Sequence, residues 1–195
     1  GGGDNAAGGR PSGLARGPRM DYRNIELLVL DVDGVLTDGR IVLADSGEEV
    51  KAFHVRDGSG MKYWTRSGRK LAIVSGRASP AVLRRAEELG VHAVRLNAKD
   101  KLPACREVLA EVGVPFDRTA VVGDDLPDLP LLRRCVFPVA VADAVGEVRE
   151  AAAYVTRAAG GAGAVREVIE LILKGAGLWE GILQRYYRGD EDGER

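Results

Sequence analysis

The chain has 195 residues, 45% hydrophobic and 29% charged, enough for one globular domain with a sizeable core. Its 28 Lys and Arg against 29 Asp and Glu leave a net charge of -1, which removes any general electrostatic drive toward nucleic acid or a membrane surface. No apolar stretch is long enough to span a bilayer and no secretory signal is evident, so the expectation is a soluble cytoplasmic protein in which Cys105 and Cys135 are buried thiols rather than a disulfide.

Residues 1–19, GGGDNAAGGRPSGLARGPR, are glycine-rich, polar and almost free of large apolar side chains. Such a segment cannot bury enough surface to offset its ordering entropy, so it is expected to be disordered, either as residues before a start at Met20 or as a flexible basic arm. Ile25 and Leu27 to Leu30 then read as a short buried strand, which Gly34 ends just after Asp31 and Asp33. In open α/β sheets ligand chemistry sits at the carboxyl ends of strands. Two carboxylates this close repel unless a cation lies between them or they take different protonation states. An acidic pair alone often does no more than cap a strand, so the rest of the chain has to decide.

Arg40 to Leu43 and Glu49 to Phe53 alternate around Asp45, Ser46 and Gly47, the pattern of a β-hairpin. Projecting from a sheet, it would leave an exposed edge and apolar side chains that oligomerisation would cover. Leu71 to Val74 is a second apolar run, ending in Ser75, Gly76 and Arg77, with Ser79 and Pro80 as N-cap and first turn of a helix. A strand near His92 to Leu96 follows, His92 having no partner pattern and reading as structural. Lys101 then opens the helical pattern Leu102 to Val112. Thr119 to Val122 runs into Gly123, Asp124, Asp125, Leu126, Pro127 and Asp128, a third polar strand end.

Strands at Val136 to Ala140 and Tyr154 to Val155 complete an alternation of strands and helices, which predicts a doubly wound α/β domain with a parallel sheet over residues 20–175. Gly160, Gly161 and Gly163 look like a phosphate loop, but no GKS or GKT follows them. In the tail, residues 176–195, Leu178, Trp179, Ile182, Leu183, Tyr186 and Tyr187 fall at helical spacing and need apolar contact, which an ordinary docking helix would supply.

A carboxylate pair, a hydroxyl, an ammonium and a second acidic cluster at successive strand ends together suit the holding of a magnesium ion (Mg2+) and a phosphoryl group. In that order Asp31 with Asp33, Ser75, Lys101, and Asp124 with Asp125 resemble the four motifs of the haloacid dehalogenase superfamily. The blocks DVDGVLTDG, GEEVKAFHVRDGSGMK, IVSGR, VVGDDLPD, VAVADA and YVTRAAGGAGAVREV are similar, more closely, to the 3-deoxy-D-manno-octulosonate 8-phosphate phosphatase family, over Glu26 to Leu173.

The resemblance implies a Rossmann-like sheet of haloacid dehalogenase type with a projecting hairpin and no large cap domain. It implies removal of phosphate from an eight-carbon sugar acid used in lipopolysaccharide synthesis; close relatives act on nine-carbon sialic-type acid phosphates. Family members pack as homotetramers through the hairpin, a neighbouring subunit closes the site, and the tail reaches toward a neighbour's active site.

For the mechanism, Asp31 would be the nucleophile and Asp33 the general acid and base. Asp31, Asp124 and the backbone carbonyl of Asp33 would hold Mg2+, while Ser75 and Lys101 would donate to the phosphoryl oxygens. Asp125 either supports the metal ligands or orients Lys101. Around the sugar acid the resemblance points to Arg56, Arg77, Lys62 and Arg85, and to the turn of His54, Val55, Asp57 and Gly58, with Asp33 and Lys101 at its phosphate end. His54 departs from a family that often has asparagine there, and Arg85 fits a surface arginine equally well.

A different class matches part of this pattern. A phospho-receiver domain, a binding switch, also has acids after its first strand and a hydroxyl and a lysine at later strand ends. Its accepting aspartate ends the third strand, whereas Ala93 to Asn97 carries none. An idle assembly module is a further reading, set against the fact that every acid, hydroxyl and lysine position is filled.

Overall fold

Leu27 to Leu30 are buried to a residue, as a strand covered on both faces by helices must be. In a computed structural model, which describes Met20 to Gly189, this strand is β1 (Leu27–Leu30). It is followed by a hairpin, β2 (Val42–Leu43) and β3 (Glu49–Val50), and by α1 (Val55–Arg66), β4 (Lys70–Val74), α2 (Pro80–Leu89) and β5 (Ala93–Arg95). Next come α3 (Lys101–Val112), β6 (Thr119–Gly123), α4 (Leu129–Leu132), β7 (Phe137–Ala140), α5 (Gly146–Ala151), β8 (Tyr154–Val155), α6 (Ala164–Gly175) and α7 (Trp179–Arg188).

Six strands form one parallel sheet in the order β5-β4-β1-β6-β7-β8, with Leu27 in register with Lys70 on one side and Thr119 on the other. The chain winds outward from β1 through β4 to β5, then returns to β6 on the opposite flank, so the order reverses between β1 and β6. That reversal opens a crevice at the carboxyl ends of these two strands. Val29, Ile73, Val121 and Val139 from the sheet interlock with Val82, Cys105, Val108, Ile169 and Ile172 from the helices in one buried core. Trp64 is fully buried and spends its only polar group on the carbonyl of Lys70, 2.5 Å away.

The doubly wound sheet, the hairpin and the free thiols agree with the sequence. Burial pushes both Cys105 and Cys135 up to about 12. Among the described residues the chain between β1 and β4 is only the hairpin and α1, and no large cap covers the sheet. No described helix is long and apolar enough to cross a membrane. The segment 1–19 and residues 190–195 lie outside the described residues.

Several local expectations need correction. β5 begins after His92, whose ring Nδ1 accepts the amide of Leu71 at 3.2 Å as the chain enters the strand. Ser79 sits at the N-cap of α2, but its hydroxyl makes no capping bond and is buried without a partner among the described residues; Pro80 in the first turn carries the helix start. The tail to Arg188 docks on its own domain, the contact that its helical spacing calls for. Tyr63 of α1 meets Trp179 and Tyr186 edge-on at 5.9 and 5.8 Å, and the guanidinium of Arg166 lies 5.5 Å from the Trp179 ring centre. The Trp179 indole thus finds aromatic and cationic cover on α1 and α6.

The glycines near residue 160 have a packing reason. A Cβ at Gly160 would overlap the carbonyl of Gly34, one at Gly161 would overlap the backbone of Thr37 and Asp38, and Gly161 donates its N–H to Val35 at 3.0 Å. These residues clamp the loop after β1 by direct backbone contact.

Candidate active site

The loop after β1 carries Asp31 to the crevice, β4 ends at Ser75, α3 opens on Lys101, and β6 delivers Asp124; the four side chains face one cleft. Asp31 Oδ1 accepts the amide of Val32 at 2.7 Å and stands 3.0 Å from Lys101 Nζ. The ammonium also donates to Asp128 Oδ1 at 2.6 Å, with only 4% of the lysine side chain exposed. Burial by itself would lower the lysine, but Asp128 and Asp31 outweigh it and hold Lys101 above the usual range. Ser75 Oγ accepts the amide of Arg77 at 3.3 Å, so its O–H proton is free for a ligand.

Asp128 was not among the expected site residues. Its second oxygen accepts the amides of Asp124 and Asp125 at 3.0 and 3.4 Å, and a Cβ on Gly123 would collide with its carboxyl group. Asp125 does not orient Lys101: its carboxylate accepts the amide of Leu126 at 2.8 Å and caps the short turn Leu126–Asp128. The lysine is oriented by the residue three further on. The sequence held a signal for it, since a turn opened by Asp125 brings Asp128 back over the β6 end.

One carboxylate oxygen each from Asp31, Asp124 and Asp128 lies within 4.8 Å of the others. Burial first, and then the charge of Asp128, lifts Asp31 to about 6; burial first, and then Asp31 and Asp128, lifts Asp124 to about 8. Asp124 Oδ1 is buried with no hydrogen-bond partner among the described residues. Hard oxygen donors that repel one another and leave a lone pair unused fit a divalent cation such as magnesium. Gly34, at φ +91°, lets the chain pass: a Cβ there would strike the Asp124 carboxylate.

Asp33 points away from this cluster, toward the hairpin. Lys51 Nζ lies 2.5 Å from Asp33 Oδ1 and 2.5 Å from Glu49 Oε1, and Arg77 Nη2 donates to Glu49 Oε2 at 2.6 Å. Arg77 Nε is 3.8 Å from Asp33 Oδ2. Burial would lower the Lys51 ammonium, but the two carboxylates hold it above the usual lysine range. Lys51 and Glu49 were not anticipated, although alternation through β3 and the residue after it puts both on the face opposite Val50.

Of the residues expected at the substrate, Asp33, Arg77 and Lys101 line the cleft with Ser75 and Asp124. The others do not line it. His54 caps α1, its Nδ1 accepting the amide of Arg56 at 3.3 Å; Val55 is 74% exposed. Asp57 is buried, and one of its oxygens accepts the amide of Arg166 at 2.9 Å at the N-terminus of α6. Arg85 pairs with Glu88 at 2.8 Å, lies 5.9 Å from the Phe53 ring centre and fills the space over Gly58. Arg56 lies on the other side of His54, beside Arg157 and Arg166, and Lys62 is half-buried further along α1.

The chain is similar to proteins of known family. A family model of haloacid dehalogenase-like hydrolases matches residues 94–169. The 3-deoxy-D-manno-octulosonate 8-phosphate phosphatase of Haemophilus influenzae is 42% identical over 159 residues, 82% of this chain and 88% of that one. Its namesake from Moraxella catarrhalis, solved in complex with a magnesium ion, a phosphate ion and a KDO molecule, superposes with a TM-score of 0.83 at 40% identity, covering 85% of this chain and 95% of that one. A cobalt-bound form of the H. influenzae phosphatase gives 0.78 at 40% identity, over 81% and 92%.

Proposed function

The chain belongs to the 3-deoxy-D-manno-octulosonate 8-phosphate phosphatase family of haloacid dehalogenase-like hydrolases, and from that premise we propose that it releases phosphate from this sugar acid with Mg2+ and an aspartyl-phosphate at Asp31. The observation that carries the reading is the meeting of Asp31, Lys101 and the unpartnered oxygen of Asp124 in one cleft at the strand reversal.

Asp31 attacks phosphorus as the bond from phosphorus to the sugar oxygen breaks, and Asp33 gives its proton to the departing oxygen. Water then attacks the phosphorus of the aspartyl-phosphate and passes its proton to Asp33, releasing inorganic phosphate and restoring the Asp31 carboxylate. Lys101 and Ser75 donate to the phosphoryl oxygens. Arg77, on the cleft rim and paired with Glu49, would exchange that partner for the carboxylate of the sugar acid. Magnesium, when bound by Asp31, Asp124 and the Asp33 carbonyl with Asp128 beside them, supplies positive charge against the crowded carboxylates and phosphoryl group.

The test is phosphate release across eight- and nine-carbon sugar-acid phosphates. Chelation should stop it, magnesium should restore it, and Asp124→Ala should raise the magnesium requirement by roughly 10-fold or more. Activity after exhaustive chelation, or an unchanged requirement in Asp124→Ala, would rule out the metal assignment; preference for a nine-carbon ester would move the substrate.

The same reading includes a homotetramer. Val42 and Val50 on one face of the hairpin and Ile41 and Leu43 on the other are each more than half exposed, apolar surface that no other described residue covers. Val42→Asp and Val50→Asp should give smaller species in sedimentation, with poor turnover of the sugar-acid ester and better retained turnover of a small aryl phosphate. Wild-type protein that sediments as a monomer with full, selective activity would refute this.

A further inference from the structure

Lys51 is an unusual lysine. Only 2% of its side chain is exposed, and its ammonium reaches from β3 to the edge of the cleft to meet Asp33 and Glu49. Ordering and desolvating a lysine is unfavourable unless its partners need it in that place. Asp33 Oδ1 is taken up by this contact, whereas among the described residues Oδ2 is left with one long ion-pair contact, 3.8 Å to Arg77 Nε. Val42 and Val50, cross-strand partners in the hairpin, stay exposed while Glu49 and Lys51 turn to the cleft. One short hairpin thus joins an uncovered apolar surface to the carboxylate beside the nucleophile.

We propose that Lys51 is a positioning residue for Asp33, holding Oδ1 so that Oδ2 is presented to the leaving oxygen. The inference rests on the reading of Asp33 as general acid. It also gives the hairpin a part in the chemistry: where β3 sits decides where Asp33 points.

Phenyl phosphates of similar size and graded phenol acidity separate the possibilities, because an acid that protonates the leaving oxygen matters most when the phenolate leaves poorly. The wild-type enzyme should show kcat/KM that depends weakly on the leaving group. Lys51→Met should lose on the order of 100-fold on phenyl phosphate but less than about 10-fold on 4-nitrophenyl phosphate, and Lys51→Arg should recover part of the loss. Circular dichroism and sedimentation identify folded, assembled protein, and Lys51→Gln, read in the same way, serves if the methionine variant does not fold. A displaced hairpin or failed assembly would lower every ester equally, so a leaving-group dependence parallel to wild type in the folded variant overturns the proposal. Asp33→Asn is the control for the underlying reading. If its dependence steepens and that of Lys51→Met does not, only the Lys51 inference fails; if neither steepens, the assignment of Asp33 fails and the inference falls with it.

Discussion

Asp31→Asn is expected to reduce steady-state phosphate release by at least about 10^4-fold, because an amide supplies no carboxylate to attack phosphorus. The fold should survive. The side chain keeps its shape, its carbonyl oxygen can still accept from Val32 and Lys101, and one of three crowded carboxylates disappears. Purified Asp31→Asn protein should therefore match or exceed the metal-free wild type in urea denaturation while failing to turn over. Near-normal phosphate release by that protein would eliminate the aspartyl-phosphate route.

Lys101→Met should abolish activity and also destabilise the metal-free protein, at alkaline pH by roughly 3–5 kcal/mol, the scale for removing one partner of a buried ion pair. Asp128 is 2% exposed and would lose its only cation among the described residues, with Asp31 beside it. The pH dependence has a definite sign. Asp31 and Asp124 already bind protons in the folded state up to about 6 and about 8, where unfolded carboxylates with values near 3.8 have lost them. The folded state thus binds more protons across this window, and stability falls as pH rises through it. Removing the ammonium lifts both groups further, so the deficit of Lys101→Met should be small near pH 5 and large near pH 9. Magnesium should recover part of it by binding the folded state. Equal urea midpoints for variant and wild type at pH 9 without metal would show that the lysine does not offset the carboxylates.

The parallel sheet was readable because each central strand is a short apolar run bounded by glycine or acid, a pattern set by neighbours along the chain. Asp31, Ser75, Lys101 and Asp124 were readable for the same reason: each follows a strand or opens a helix, and strand ends in a doubly wound sheet converge whatever the intervening residues. The hairpin was legible from its turn and alternation, its shortness was not. The contact of Asp57 with α6 was not legible, since an acid in a basic turn says nothing about the distant helix whose N-terminus it meets.

What the sequence determined by itself is the chemistry available at the crevice and the order in which the chain delivers it. Tertiary structure alone decided which distant elements meet: Lys101 of α3 on the Asp128 that its own turn returns to the β6 end, Lys51 from the hairpin on Asp33, Asp57 on the start of α6, and the tail on α1 and α6. Each of these pairs residues from separate elements at a few ångströms. Such distances depend on how side chains project from packed elements, which periodicity and motif spacing do not encode.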